Sequence, residues 1–170
     1  MSGFDFTRSD GRDANVHLVY NAGMENKNPH CRINVVNNAI TTTITTASTF
    51  YKANWTNTSV YTTKWTITDN RITYQPNNSL DAWAIITGDI SVNNNNCILS
   101  LAIVKNGITA SRHGETALRT TNISGVPFQF STVIYIPDMV KDDYLELYVT
   151  SNNSGDIVLL KDVQWFTNTQ

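Results

Sequence analysis

The clearest indication of the fold is the run Asp143-Tyr144-Leu145-Glu146-Leu147-Tyr148-Val149, the middle one of three apolar runs between residues 127 and 170. Successive side chains of a β-strand point to opposite faces, so one face of this run is aliphatic and the other carries two tyrosines and a glutamate. The aliphatic face predicts a strand packed on a hydrophobic core. The other face is aromatic, which is more typical of a protein–protein contact than of a solvated surface.

The same two-residue period continues through the chain from Cys31 onward, in runs separated by turns rich in Asn, Asp and Gly. Asn106-Gly107 lies between two apolar runs and favours a hairpin, because a type I′ turn needs positive φ at both central residues. No window of ten residues has the helical period. We predict an all-β fold, an antiparallel two-sheet jelly-roll sandwich of about eight or nine strands.

The first thirty residues differ from the rest, with several glycines, a charged run at 8–13 and few apolar side chains. We predict an extended N-terminal arm over residues 1–30 and a jelly-roll domain over residues 31–170. Phe4 and Phe6 would share one face of an extended segment, which favours an arm that docks on another surface. A disordered tail is the alternative.

Charge and hydropathy exclude several classes of partner. Charged residues make up 15% of the 170, the net charge is −2 and no basic cluster is present, so we predict no binding to nucleic acid. No apolar run approaches about 18 residues and no signal-peptide pattern opens the chain. We therefore predict neither a membrane span nor secretion.

The chain offers no convincing chemical site. Cys31 and Cys97 lie far apart, so a disulfide is not expected, and the alternation of Cys97 with Leu99 and Leu101 favours a buried thiol at Cys97. His113 lies near Glu115 in what reads as a long loop after the Asn-Gly turn, and a solvated loop is the better interpretation than a general base. Asp residues at turns leave a divalent cation on a symmetry axis open, although turn capping is the commoner role. We predict no enzyme activity, no catalytic residue, no cofactor and no metal site.

The order of these elements resembles the C1q/TNF-like jelly rolls of phage and viral structural proteins. The elements that carry the resemblance are a strand at 83–92, an Asn-rich turn, a run ending in Lys105-Asn106-Gly107, a strand at 128–136, the Asp143-Tyr144 element and a closing strand at 157–166. The resemblance covers about residues 80–170. No collagen-like repeat, heptad pattern or stalk precedes the domain, which favours the viral branch over the cellular one.

The resemblance implies a homotrimer, with the strand of the Asp143-Tyr144 element near the threefold axis. Tyr144, Glu146 and Tyr148 would then lie at or near the subunit interface, while Leu145, Leu147 and Val149 fill the core. The alternation of the strand independently separates these two sets of side chains. Tyrosines that cover one exposed sheet face are the alternative.

The function implied is that of a virion structural protein, a capsid decoration or cementing protein of a bacteriophage. It would be made in the host cytoplasm and would bind the major capsid protein on the outer head surface through its arm, with Phe4, Phe6, Arg8 and Arg12 as contacts. The alternative is a receptor- or glycan-binding tip of a head or tail fibre. That alternative predicts a host-glycan site at the loops around 93–96, 112–118 or 152–155, and Trp83 is the tryptophan to test for sugar stacking.

Overall fold

The computed structural model describes residues 28–119 and 124–170, together with the backbone of two short strands, β1 (Phe6–Thr7) and β2 (Asp13–Ala14), which pair antiparallel. In chain order the other strands are β3 (His30–Val35), β4 (Thr42–Ile44), β5 (Tyr51–Lys52), β6 (Ser59–Thr63), β7 (Trp65–Thr68), β8 (Arg71–Tyr74), β9 (Leu80–Val92), β10 (Ile98–Lys105), β11 (Arg112–Arg119), β12 (Phe128–Met139), β13 (Tyr144–Ser151) and β14 (Asp156–Thr169). The described ranges contain no α-helix and one 3₁₀ turn, at Thr109–Ser111. The all-β prediction is confirmed.

Two six-stranded antiparallel sheets form the sandwich. The first sheet has the order β12-β9-β14-β3-β6, with β4 also paired to β14. The second has the order β11-β10-β13-β8-β7, with β5 also paired to β13. Of the eleven connections between successive strands from β3 to β14, eight cross from one sheet to the other, as many do in a jelly roll.

The core lies between the sheets and is built from the inward face of each strand. Leu145, Leu147 and Val149 of β13 are fully buried in it, as the alternation predicted. On β9, Ala84 and Ile86 point to the same core and are fully buried. Cys31 and Cys97 are both buried, and burial raises the pKa of the Cys31 thiol to about 12.

The two sequence elements that carry the resemblance contact each other. The Lys105 ammonium lies 2.8 Å from one carboxylate oxygen of Asp143, and the Asn106 amide donates to the other at 2.6 Å. Asn106 also exchanges hydrogen bonds with the backbone of Tyr144, through its side-chain oxygen and its own N–H, both at 2.9 Å. The Val140 N–H also donates to Asp143 at 2.9 Å, so Asp143 caps the turn before β13, and these motifs join β10 to β13.

The connection after β10 differs from the sequence prediction. Asn106 and Gly107 both have positive φ, at 56° and 70°, as a type I′ turn requires. The chain does not turn back at once, because the 3₁₀ turn intervenes before β11 pairs with β10. The interpretation of residues 112–118 as a loop was wrong: they belong to β11, an edge strand with little apolar alternation.

Gly88 allows two strands to approach at a β-bulge. The pairing of β14 with β9 shifts register between Leu160 and Asp162, and a Cβ at Gly88 would lie 2.2 Å from the carbonyl oxygen of Asp162.

We expect Gly88→Ala to lower the free energy of unfolding by about 1–3 kcal/mol, because the backbone of β14 must move to admit the methyl group. The outward-facing neighbour Thr87→Ala serves as the control and should cost less than about 1 kcal/mol. Urea denaturation of both variants checks this, and equal midpoints for Gly88→Ala and the parent would contradict it.

Candidate interaction surfaces

The outer face of the first sheet carries a contiguous group of large exposed apolar side chains. Cross-strand register places Tyr135 beside Trp83, Val133 beside Ile85, and Phe166 on the other side of Ile85. We call this group the apolar face; it comprises Trp83, Ile85, Val133, Tyr135 and Phe166, which are 40%, 43%, 60%, 44% and 39% exposed. The rings of Trp83 and Tyr135 are in contact, with centroids 5.0 Å apart.

Charged groups border the apolar face on two sides. Arg32 of β3 lies beside Phe166. At the far end, the Tyr135 hydroxyl donates to a carboxylate oxygen of Asp81 at 2.5 Å, and the Asp138 N–H donates to the other at 3.0 Å. These two hydrogen bonds, that of Tyr135 first, lower the pKa of Asp81. The group therefore has an apolar centre and a polar border, as subunit contacts do.

A cleft of about 870 Å³ continues the same sheet face beyond the apolar face. The next row of side chains across the strands, Asn34, Gln164, Thr87 and Ser131, lines it. Asp89 and Asp162 face each other across neighbouring strands at one wall. The rest of the lining includes one cation and several apolar side chains, at Arg32, Val35, Val36, Phe130 and Val163.

The outer face of the second sheet is charged. Glu146 is 2% exposed, and one of its carboxylate oxygens lies 2.7 Å from the Lys52 ammonium and 3.0 Å from Arg71 Nε. Tyr148 donates to the second oxygen at 3.4 Å. Burial alone would raise the pKa of Glu146, but the hydrogen bonds and charges of Lys52 and Arg71 outweigh it and lower the pKa.

The structure brings together the three residues predicted at the subunit interface. Tyr144, Glu146 and Tyr148 share the outer face of β13, and the Arg71 guanidinium lies over the Tyr144 ring at 3.8 Å. We call these three, with Lys52 and Arg71, the charged face. The sequence analysis missed the two cations, which come from β5 and β8. Whether this face contacts another subunit stays a prediction.

The predicted capsid-binding arm falls on a part of the chain that is not described. Phe4, Arg8 and Arg12 lie outside the described residues, as does the side chain of Phe6. The division at residue 30 stays a prediction, although β3 begins there.

His113, Glu115 and the Asp residues at turns were the sequence candidates for a chemical or metal site. His113 lies on β11, and its pKa is lowered by burial and by the charge of Lys105. Within 28–119 and 124–170, no three His, Cys, Asp or Glu side chains are grouped so that they could hold a metal ion. No helix in these ranges is long and apolar enough to cross a membrane.

Comparison with known proteins identifies the fold. No family model and no curated protein matches the sequence. In structure the chain is similar to murine APRIL, with a TM-score of 0.50 and 6% identity over 82% of this chain and 98% of that one. It is also similar to the PRD1 vertex protein P5 (TM-score 0.47, 12% identity, 84% and 96% covered) and to the globular domain of zebrafish complement 1qA (0.44, 11%, 84% and 96%).

The chain has the C1q/TNF-like jelly-roll fold. This confirms the fold predicted from the sequence, including the order of its last strands. At identities of 6–12% the structural similarity shows the fold alone and does not identify partners or location.

We expect Glu146→Gln to lower the free energy of unfolding by about 1–3 kcal/mol near pH 7, because Lys52 and Arg71 lose their counter-charge but remain partly solvated. The variant should also be less sensitive to acid. A carboxyl whose folded pKa lies below its usual value of 4.5 stabilises the fold above that pH, and the stabilisation is lost as the pH falls below it.

Urea denaturation from about pH 7 to pH 3 checks both effects. Glu115→Gln removes a carboxylate from an exposed ion pair with Arg112; it is the matched control and should change the free energy of unfolding at pH 7 by less than about 1 kcal/mol. Parallel pH profiles for Glu146→Gln and the parent would contradict the assignment.

Proposed function

We propose that this chain is a virion structural protein, a homotrimeric decoration or cementing protein on the outer surface of a phage head. The observation that carries the proposal is the apolar face. A monomer rarely exposes a contiguous group of large apolar side chains, and such groups mark contacts with other proteins. The sequence resemblance to viral jelly rolls and the C1q/TNF-like fold support a second and a third copy of this chain as the occupants.

The charges at the border favour a closed ring of copies. Arg32 borders the apolar face on the β3 side and Asp81 borders it at the start of β9, so a head-to-tail contact can set the basic border of one copy against the acidic border of the next. A head-to-tail contact that closes on itself generates a cyclic oligomer. The number three comes from the resemblance.

The charged face is the competing interface, at Tyr144, Glu146 and Tyr148. Its buried carboxylate already has two cations from its own chain, at 2.7 and 3.0 Å. Packing another copy over this face would remove water from Lys52 and Arg71 and gain no missing counter-charge, which costs free energy. We therefore favour the apolar face as the subunit contact.

The register of the first sheet sets where the arm leaves the domain. His30 pairs with Asn168, and Asn168 pairs with Trp83, so the chain enters β3 at the aromatic end of the apolar face. The Thr169 backbone N–H and hydroxyl donate to the Pro29 carbonyl at 3.1 and 3.2 Å and hold the chain there. Copies related by a rotation axis would send all three arms out from the same end of the trimer.

Three arms on one side explain how such a protein would stabilise a shell. An arm that binds the assembled major capsid protein better than free subunits shifts the equilibrium toward the shell, since binding to one state stabilises it. Linking three arms in one trimer raises the effective concentration of the second and third contacts. Phe4, Phe6, Arg8 and Arg12 are the contacts we propose.

We expect Val133→Lys to convert the trimer to a monomer, because it introduces a charge at the centre of the apolar face. Val133 points outward, so the fold of one chain can accommodate the lysine. Light scattering after size exclusion should show the mass fall from three times 19.0 kDa to one chain.

Two further variants make the result specific. Thr68→Lys, an exposed position on the second sheet, should remain a trimer. Tyr144→Ala should also remain a trimer. If Tyr144→Ala dissociates and Val133→Lys does not, the interface is on the charged face.

Removal of residues 1–27 should abolish binding to capsids while leaving a trimer, because the hydrogen bonds of Pro29 and all of β3 are retained. Co-sedimentation with heads that lack the decoration protein measures the occupancy, and light scattering confirms the trimer. Occupancy equal to that of the full chain would contradict the role of the arm.

The alternative, a receptor- or glycan-binding fibre tip, would place Trp83 in contact with a sugar. Trp83 is exposed beside Tyr135, which suits stacking. The same ring lies in the subunit contact proposed above, so it cannot serve both roles in one assembly. Loss of the trimer in Val133→Lys would argue against Trp83 as the sugar platform.

A further inference from the structure

We propose that residues 16–20 of this chain add a strand to the first sheet, along the outer edge of β6. β6 is the last strand of that sheet and, within the described residues, pairs only with β3. An edge strand presents backbone N–H and C=O groups that bond readily to another extended segment. The proposal depends neither on the trimer nor on contact with a capsid.

The sequence of β6 lacks the features that usually prevent further pairing at a sheet edge. It reads Ser59-Val60-Tyr61-Thr62-Thr63, with no charged residue, proline or glycine. Natural edge strands are protected by charged side chains, prolines and bulges. β-branched and aromatic residues, which predominate here, favour strand pairing. β6 is therefore suited to accept another strand.

Both faces of β6 carry an apolar side chain that is more than half exposed. Val60 lies beside Ile33 of β3 in the ladder, yet Ile33 is fully buried and Val60 is 52% exposed. Tyr61 points to the opposite face and is 56% exposed, with its ring stacked on His30 at 5.3 Å between centroids. A strand added at this edge would place side chains beside Val60 and Tyr61, because cross-strand neighbours lie about 4.5–5.5 Å apart.

The segment before residue 28 joins the domain next to this edge. His30, the first residue of β3, pairs with Thr63, the last residue of β6. A strand added outside β6 would lie two strand spacings from β3, roughly 10 Å. The start of the described domain thus places the preceding chain close to the edge.

Residues 16–20 are the part of that segment that matches the edge in length and composition. They read Val-His-Leu-Val-Tyr, the longest run between residues 1 and 27 without Gly, Asn or a charged residue. The run has five residues, as β6 does. As a strand it would present apolar side chains on both faces, with Leu18 on one and Val19 on the other. Both exposed side chains of β6 would then gain an apolar neighbour.

The connection at residues 21–28 is long enough for this pairing. Its eight residues span up to about 26 Å when extended. The path from the start of β3 to the far end of an added five-residue strand is about 20 Å. Either direction of the added strand is thus within reach. The short connection sets an effective concentration on the order of millimolar at the edge, which favours this segment over a strand from another molecule.

The test is amide hydrogen exchange of the full chain, read by mass spectrometry on peptides that cover residues 16–20 and 59–63. Both segments should exchange slowly. Leu18→Pro removes an N–H from the added strand and should speed exchange in β6 about tenfold, the effect of one or two lost hydrogen bonds. Asn26→Pro, in the connection, is the matched control and should leave exchange in β6 as in the parent.

Val60→Lys tests the same contact from the domain side. Val60 is more than half exposed, so the fold can accommodate the lysine, but a charge at the edge opposes pairing. Exchange of residues 16–20 should rise about tenfold. Thr68→Lys, on the edge strand β7 of the second sheet, is the control and should leave it unchanged. Slow exchange of β9 and β14 in each variant shows that the domain is folded.

Val133→Lys identifies the copy that supplies the strand. Val133 lies on β12, at the other end of the first sheet from β6. The variant disrupts the contact between copies proposed above, so a strand supplied by the same chain should keep the protection of both segments.

Three results would overturn the proposal. One is that β6 exchanges as fast in the full chain as in Leu18→Pro. Another is that Val60→Lys leaves the exchange of residues 16–20 unchanged. The last is loss of protection in Val133→Lys, which would assign the added strand to a neighbouring copy.

Discussion

The two-residue period of the β-strand governs both the core and the outer surfaces of this protein. Every strand that gives one face to the core must turn its other face outward, so a two-sheet sandwich has two outer faces that meet solvent or another molecule. The two outer faces of this protein differ in composition. The first sheet exposes large apolar side chains that have no cover within the described chain. On the second sheet, Lys52 and Arg71 pair with the buried Glu146 carboxylate, so this charge already has its partners within the chain.

This difference between the apolar face and the charged face is the basis for the roles that we propose for them. Apolar area gains free energy when another copy covers it, whereas a paired charge gains little and loses its remaining water. We therefore propose the apolar face as the subunit contact. The chain enters β3 at the aromatic end of this face, so association through it would also bring together the segments that precede β3 in each copy.

The sequence alone predicts the fold, but it predicts only part of the charged face and none of the apolar face. Alternation on β13 separates Leu145, Leu147 and Val149 from their neighbours, and burial confirms that separation. Lys52 and Arg71 could not be assigned to Glu146, because they lie 94 and 75 residues away along the chain and meet it only through sheet pairing. The apolar face was missed for the same reason, since Ile85 meets Val133 and Phe166 only once the register of three strands is known. The edge strand β11 was missed because Arg112 to Arg119 lacks apolar alternation, and hydrogen bonds to β10 define it instead.

The most direct test of the central claim uses the tryptophans. Three of the four are buried in one chain, and only Trp83, on the apolar face, is exposed. Quenching of tryptophan fluorescence by acrylamide across a dilution series therefore measures the accessibility of Trp83. We expect weak quenching at high protein concentration and stronger quenching on dilution, as trimers dissociate and uncover Trp83. Strong quenching that does not change with concentration would show that the apolar face is not the subunit contact.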